Sequence, residues 1–373
     1  MKKLFWVPLM LAFVVGTTAT AWAAPDIGPL PTIKYDKKKA ALGKRLFYDP
    51  KLSGDAAISC ASCHIAGKGF AEGVDLGKAY PGTKHFRNAP TLINTAQKKK
   101  AGIPWFWDGR IGTNLNDVTR NEIVETIVLN MDMRIMQERL KQQPDYVKMF
   151  KDVGFSEPSN GAVRKLIPEF LKSLQSKNVP FDQGKLSKSA KKGMKLFKGK
   201  ANCIACHNGS MFSDGKAHIL GVAENPKIFK DPLRHVTMKA SNKFLGVQNQ
   251  HNLRFDVGAH SVSKMADGSD YRSFMTPTLR ELRDTAPYMH NGMLASLDDV
   301  INFYNNGGGI DPNKDRALKK LGLTKSEKGN LKAFLLSLSG DKLTGSKYVV
   351  SKKEIMNMMQ PYKAIPNWHN TKN

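Results

Sequence analysis

Two short motifs constrain this 373-residue chain more than anything else in it: Cys60-Ala61-Ser62-Cys63-His64 and Cys203-Ile204-Ala205-Cys206-His207. They contain all four of its cysteines. Each reads C-x-x-C-H, the attachment signature of a c-type haem. Two thiols separated by two residues reach the two vinyl groups of one porphyrin, and the adjacent histidine then lies under the iron. A disulfide framework or a zinc site would use the same atoms. Four cysteines in so long a chain do not make a disulfide scaffold. Zinc would more often take all four thiols, and it demands no histidine directly after each pair. The motifs therefore imply two covalently attached haem c groups, held by Cys60, Cys63, Cys203 and Cys206, with His64 and His207 as the proximal iron ligands.

The surroundings of the motifs repeat as well. Gly43-Lys44-Arg45-Leu46-Phe47 precedes the first and Gly193-Met194-Lys195-Leu196-Phe197 the second. Phe170-Leu171-Lys172-Ser173-Leu174 and Phe334-Leu335-Leu336-Ser337-Leu338 follow them, all with helical apolar spacing. Thr324 and Glu327 stand as a capping box before the last of these. The pattern predicts a mainly α chain of two cytochrome c-like domains, each with an early helix, a haem site and a late helix packed on the first. The polar segment 180–189 marks the boundary. The divisions are a signal peptide at 1–23, an N-terminal haem domain at 24–185, a C-terminal haem domain at 186–345 and a C-terminal extension at 346–373.

The leader rests on Lys2 and Lys3, an apolar run from Leu4 to Val15, and the small residues ending Ala21-Trp22-Ala23. This order fits a cleavable export signal, and the run is short for a bilayer span. An exported protein with no stable membrane insertion, in the periplasm, is the expectation. Its formal charge is +26. The lysines are scattered and no nucleic-acid motif accompanies them, so nucleic acid is not an expected partner. An anionic membrane surface, an acidic protein partner and plain solvation are the other readings of that charge.

Four further blocks stand around the two motifs in a fixed order: Phe86-Arg87-Asn88-Ala89-Pro90-Thr91-Leu92, Trp105-Phe106-Trp107-Asp108-Gly109-Arg110, Thr276-Pro277-Thr278-Leu279-Arg280, and Thr285-Ala286-Pro287-Tyr288-Met289-His290-Asn291-Gly292. In this arrangement the chain resembles the bacterial di-haem cytochrome c peroxidase family, which includes MauG, from about Leu42 to Gly340. The resemblance implies an enzyme that reduces hydrogen peroxide to water, with a peroxide-facing N-terminal haem and an electron-transferring C-terminal haem. Trp107 would lie between them as a relay, a role compatible with being a core aromatic. It also implies a calcium ion between the domains, bound by the Asn88 side chain and by the backbone carbonyls of Thr285 and Pro287, hard oxygen ligands of the type calcium prefers. A small acidic cytochrome c or another periplasmic carrier would donate electrons, and a second copy of the chain is a further candidate partner.

At two places the sequence departs from the family pattern. Typical members give the C-terminal haem a methionine fourteen residues past the histidine of the P-Y-x-H-x-G block; here Tyr304 stands fourteen residues past His290, as in MauG. A phenolate on this iron would favour its more oxidised states. Met275, Met289 and Met293 are the alternative ligands. Many members also block the N-terminal iron with a histidine in the loop before R-N-x-P-T. That position falls on Tyr80, and His85, the one histidine of the loop, is read as a satisfied surface residue. The first haem is therefore expected to be open, or openable without prior reduction. Peroxide cleavage needs an acid–base group. Glu125 is the first candidate, Asp132 in an aligned Asp-Met pair the second, and Glu122 is taken as a solvated helix charge. Three functions follow: a peroxidase, a MauG-like oxidase that modifies residues of a partner protein, and a di-haem electron carrier without chemistry.

Overall fold

A computed structural model describes residues 26–358, so the leader and the end of the C-terminal extension lie outside the described residues. The duplication is visible first in two helix pairs. The helix Lys37–Tyr48 begins where Asp36 accepts the backbone N–H groups of Lys38 and Lys39, and it packs on Asn160–Ser173, capped by Ser159. Lys188–Lys198 packs on Lys325–Leu336 in the same way, with Thr324 and Glu327 forming the capping box.

One glycine sets each crossing. A Cβ on Gly43 would stand 2.0 Å from the Leu166 carbonyl oxygen, and one on Gly193 would stand 2.0 Å from that of Asn330. Next to each glycine two phenylalanine rings meet at 5.2 Å, Phe47 on Phe170 and Phe197 on Phe334. A separate apolar core grows around each pair, one including Leu46, Phe70 and Phe150, the other Phe212, Ile301 and Leu338. The only sheet among the described residues is a two-stranded antiparallel ribbon, Ala217–Ile219 with Ser273–Met275, Ala217 opposite Met275.

The loops repeat too. Phe70 and Phe212 are fully buried and left-handed, at φ 53° and 52°. Thr91 Oγ1 donates to the Gly69 carbonyl at 2.6 Å, and Thr278 Oγ1 to that of Met211 at 2.7 Å. A tight turn then closes each half: Trp105 N donates to Ile111 O at 2.9 Å, and Tyr288 N to Leu294 O at 2.7 Å. Helices Leu115–Val124 and Leu297–Asn305 follow these turns.

Three segments cross between the halves. At the N-terminal side, the Asp26 carbonyl accepts from Gly209 N at 2.7 Å, and Ile27 enters the second core. At the C-terminal side, Leu343, Tyr348 and Val350 enter the first core, and Lys44 Nζ donates to Ser346 O at 2.8 Å. The third is an insertion. The second half has a much longer stretch between its haem histidine and its proline–threonine pair (207–277 against 64–90). Part of it, around the helix Pro232–Phe244, grips the first half's loop. Ile228 and Met238 pack on Leu76 and Phe86, Asp231 pairs with Lys84 at 2.7 Å, and Arg234 donates to the carbonyls of Gly77 and His85. The boundary near 185 thus separates the helix pairs but not the packing.

Candidate haem sites and the passage between them

Each proximal histidine follows a one-turn helix that carries its cysteines. His64 Nδ1 lies 2.9 Å from the Phe70 carbonyl, and His207 Nδ1 lies 2.9 Å from that of Phe212. An Nδ1–H donated to a carbonyl leaves Nε2 as the basic nitrogen, the arrangement a metal-ligating imidazole needs. Burial lowers both pKa values, which keeps the rings neutral. The four thiols are unpaired. Cys60 packs on the first core and Cys203 on the second, so the four do not gather into one zinc site. Burial pushes the thiols of Cys60, Cys63 and Cys203 up to about 12, an environment suited to neutral sulfur and poor for thiolate.

A deep, mainly apolar cavity opens in the second half between Cys203, Cys206 and His207 on one side and Leu297, Ile301 and Tyr304 on the other. It reaches Asn88, Pro90, Thr91 and Trp107 of the first half. His290 lines it, and its buried Nε2 has no partner in the protein. An apolar slot with one unanswered polar atom fits a flat, largely apolar group with a polar edge, as a haem is. Tyr304 sits in this wall, where burial and the nearby sulfurs of Cys203 and Cys206 raise its hydroxyl pKa. Met275 and Met289 share the cavity, whereas Met293 is 36% exposed and outside it. His218 flanks the same site, 2.8 Å from Asp214 and 2.6 Å from Asp315.

Between the halves, Trp107 Nε1 donates to the Asn88 carbonyl at 2.9 Å, and the Trp107 carbonyl accepts from Met275 N at 2.8 Å. Its ring meets His290 edge-on, with centroids 6.5 Å apart, and His290 stacks on Phe274 at 3.6 Å. Burial pushes His290 down to about 3, so it is uncharged. Beside this stack lies a buried ion network. Arg87 donates to Asp108 and to Asp256 at 2.6 Å each, and Arg110 reaches Asp108 at 2.9 Å. Asp256 belongs to the insertion, so Arg87 ties the halves together in a dry place. The residues expected at a calcium ion, Asn88, Thr285 and Pro287, all line the inter-half end of the cavity, with Asn88 Nδ2 donating to Val74 O at 2.7 Å.

The carboxylates near the first site are arranged differently from the sequence expectation. Asp132 caps the helix Met133–Lys141 and pairs with the exposed Arg134 at 2.6 Å. Glu125 forms the C-cap of Leu115–Val124, and its carboxylate accepts from Thr126 Oγ1 at 3.2 Å. Glu122, expected to be a solvated charge, is half-buried and close enough to bear on the thiols of both Cys60 and Cys63. His85 is half-buried rather than on the surface: its Nδ1 accepts from Arg87 N at 3.0 Å, and its ring stacks on Phe86. Tyr80 N donates to the Ile127 carbonyl at 3.0 Å. Asp256, Arg87 as its partner, and the Trp107–His290 contact were not foreseen. The repeated turn could have suggested the last, since Trp107 and His290 occupy its equivalent positions.

Residues 37–191 match the family described as di-haem cytochrome c peroxidase. The cytochrome-c peroxidase IdrP2 of Denitromonas iodatirespirans is 44% identical over 89% of this chain and 90% of its own length. The methylamine utilization protein MauG of Methylorubrum extorquens is 32% identical over 82% of this chain and 79% of its own. Among solved structures, a MauG-like protein associated with microbial copper homeostasis superposes with a TM-score of 0.70 at 24% identity, covering 88% of this chain and 98% of that one, a likeness of fold. With its two C-x-x-C-H sites in duplicated helical halves and an aromatic contact between them, the chain belongs to the di-haem cytochrome c peroxidase family.

Proposed function

We propose that this protein reduces hydrogen peroxide to water in the periplasm, taking electrons from a small soluble carrier such as a cytochrome c. The observation that carries this reading is the repeated haem cradle joined across the halves by Trp107 and His290. When bound, the haem groups supply the redox-active metal at which the oxygen–oxygen bond breaks and the second centre that shares the oxidising equivalents. The protein's own part is to shape that chemistry. The Phe70 and Phe212 carbonyls, by holding the Nδ1 protons, make the His64 and His207 imidazoles stronger donors. Trp107 is fixed at both its indole N–H and its carbonyl, which keeps its ring in one place between the sites. An open first iron is supported by His85, the one histidine of the loop 75–87, whose Nδ1 accepts from Arg87 N and whose ring stacks on Phe86. Asn88, Thr285 and Pro287 would supply oxygen ligands to a calcium ion at the junction. The +26 charge favours an acidic donor, whose capture weakens with salt.

A second reading has one observation in its favour. Tyr304, buried in the second cavity, would bias that haem toward oxidised states and suit a MauG-like enzyme that oxidises a partner protein. Electron paramagnetic resonance of the as-isolated ferric protein tests both readings. One high-spin and one low-spin signal are expected, with the high-spin signal responding to peroxide and cyanide, and Tyr304→Phe should alter the low-spin signal. Two low-spin signals with no response to either would reduce the protein to an electron carrier. An unchanged low-spin signal in Tyr304→Phe would remove the tyrosine ligand.

A further inference from the structure

The block Trp105-Phe106-Trp107 holds two oxidisable indoles two residues apart, and the structure surrounds them in opposite ways. Trp107 is supported as a site of positive charge. Its Nε1 donates to the Asn88 carbonyl at 2.9 Å, and its aromatic neighbour is the uncharged His290. The ion network beside it is balanced, the guanidiniums of Arg87 and Arg110 against the carboxylates of Asp108 and Asp256. Trp105 has no such support. Its Nε1 is buried without a partner. The Lys98 ammonium stands over its ring, 4.6 Å from the centroid. Lys98 is placed there by the short helix Thr95–Lys100, whose Thr95 Oγ1 donates to the Leu171 carbonyl at 3.2 Å. Burial lowers Lys98 to about 8, so it still carries its charge at neutral pH.

A cation over a neutral indole is attracted by the electron-rich face of the ring. Once the indole has lost an electron, the same contact is repulsive. At this distance and away from water, a unit charge shifts such an equilibrium by about a power of ten or more. We propose that the Lys98 ammonium, seated on the Trp105 ring, closes that indole to oxidation and so confines the oxidising equivalent to Trp107. The inference rests on the peroxidase reading, with Trp107 as the relay. Trp105 needs such a guard because it is within reach of the first haem site. It shares the first core with Phe70, whose carbonyl holds His64, and Cys60 packs on that core.

Without the guard, electrons would come from the wrong place. Each peroxide takes up two electrons and two protons to become two waters. In the productive cycle the carrier supplies both electrons. In the leak Trp105 supplies them, losing two electrons and two protons as it takes up the oxygen of one water. The sum is one peroxide consumed, one oxygen atom added to Trp105 and one water released. Lys98 acts only through Trp105, as a positioning residue that sets which indole the oxidising equivalent can occupy.

The test treats the ferric holoprotein with hydrogen peroxide in the absence of a carrier. Oxygen incorporation is read by tandem mass spectrometry in the tryptic peptide 101–110, which contains both tryptophans. Lys98→Met keeps a long side chain on the ring and removes its charge. Oxygenated Trp105 should then rise about tenfold or more over the wild-type level. Lys98→Arg keeps the charge and should stay at the wild-type level. The proposal is overturned if Trp105 is no more oxygenated in Lys98→Met than in wild type, or if Lys98→Arg is oxygenated as much as Lys98→Met, which would reduce Lys98 to a packing role. A wild-type protein that consumes no peroxide would instead be a failure of the peroxidase reading. Lys98 is still judged in that case by flash photo-oxidation with a ruthenium complex: Lys98→Met should raise the yield of oxidised Trp105, and an unchanged yield overturns the proposal.

Discussion

The two halves agree where the backbone must be held and differ where side chains look into the cavities. Gly43 and Gly193, the phenylalanine pairs beside them, the left-handed Phe70 and Phe212 and the histidine-to-carbonyl contacts are the same device used twice. At matched positions of the repeated turn, Trp107 of one half meets His290 of the other. Duplication therefore preserved the cradle and let its wall diverge. The physical reason is that a helix crossing with no room for a methyl group tolerates almost no substitution, whereas a residue facing a cofactor can change without unfolding anything.

The largest stability effect should come from breaking what joins the halves. Asp256→Asn removes the carboxylate that accepts two hydrogen bonds from Arg87, at 2.6 and 2.7 Å. A buried guanidinium losing such a partner costs about 3–5 kcal/mol. Calorimetry should show both halves melting earlier together; a loss confined to one transition would mean that they are not coupled through Arg87. Next, Gly43→Ala and Gly193→Ala should each cost about 1–3 kcal/mol or more by forcing the helices apart. Similar values would confirm that the crossings are equivalent, and a tolerated alanine in one half would break the comparison.

The smallest effect is a pH dependence peculiar to the second half. Burial beside Asp256 pushes Glu224 up to about 8. The folded state then keeps a proton that the unfolded chain releases in the ordinary carboxylate range, so stability falls as pH rises from about 5 to 8. Glu224→Gln should flatten that slope and stabilise the protein at pH 8 by roughly 1–2 kcal/mol. A slope that survives the substitution assigns it to another group.

Much of this was legible in the sequence because it depends on local spacing. The C-x-x-C-H motifs, the glycine–phenylalanine helices and the Thr324–Glu327 box each occupy a few consecutive turns. What escaped depends on distance along the chain. The pairing of Arg87 with Asp256 spans the insertion, and nothing near either residue announces it. Glu122 was misjudged for a related reason: on a helix of mixed composition a glutamate reads as solvated, and only the packing of distant segments around it leaves it half-buried near Cys60 and Cys63. Asp132 stands in an Asp-Met pair that resembles the family pattern, but Arg134 two residues on claims it at the surface.

The crossed ends of the chain carry one more consequence. Because Ile27 is buried in the later core and Leu343, Tyr348 and Val350 in the earlier one, the two lobes are latched like clasped hands, each holding a finger of the other. Neither lobe has a complete interior until the whole polypeptide has been made, so cutting the linker near residue 185 should leave an interlocked pair rather than two free cytochromes.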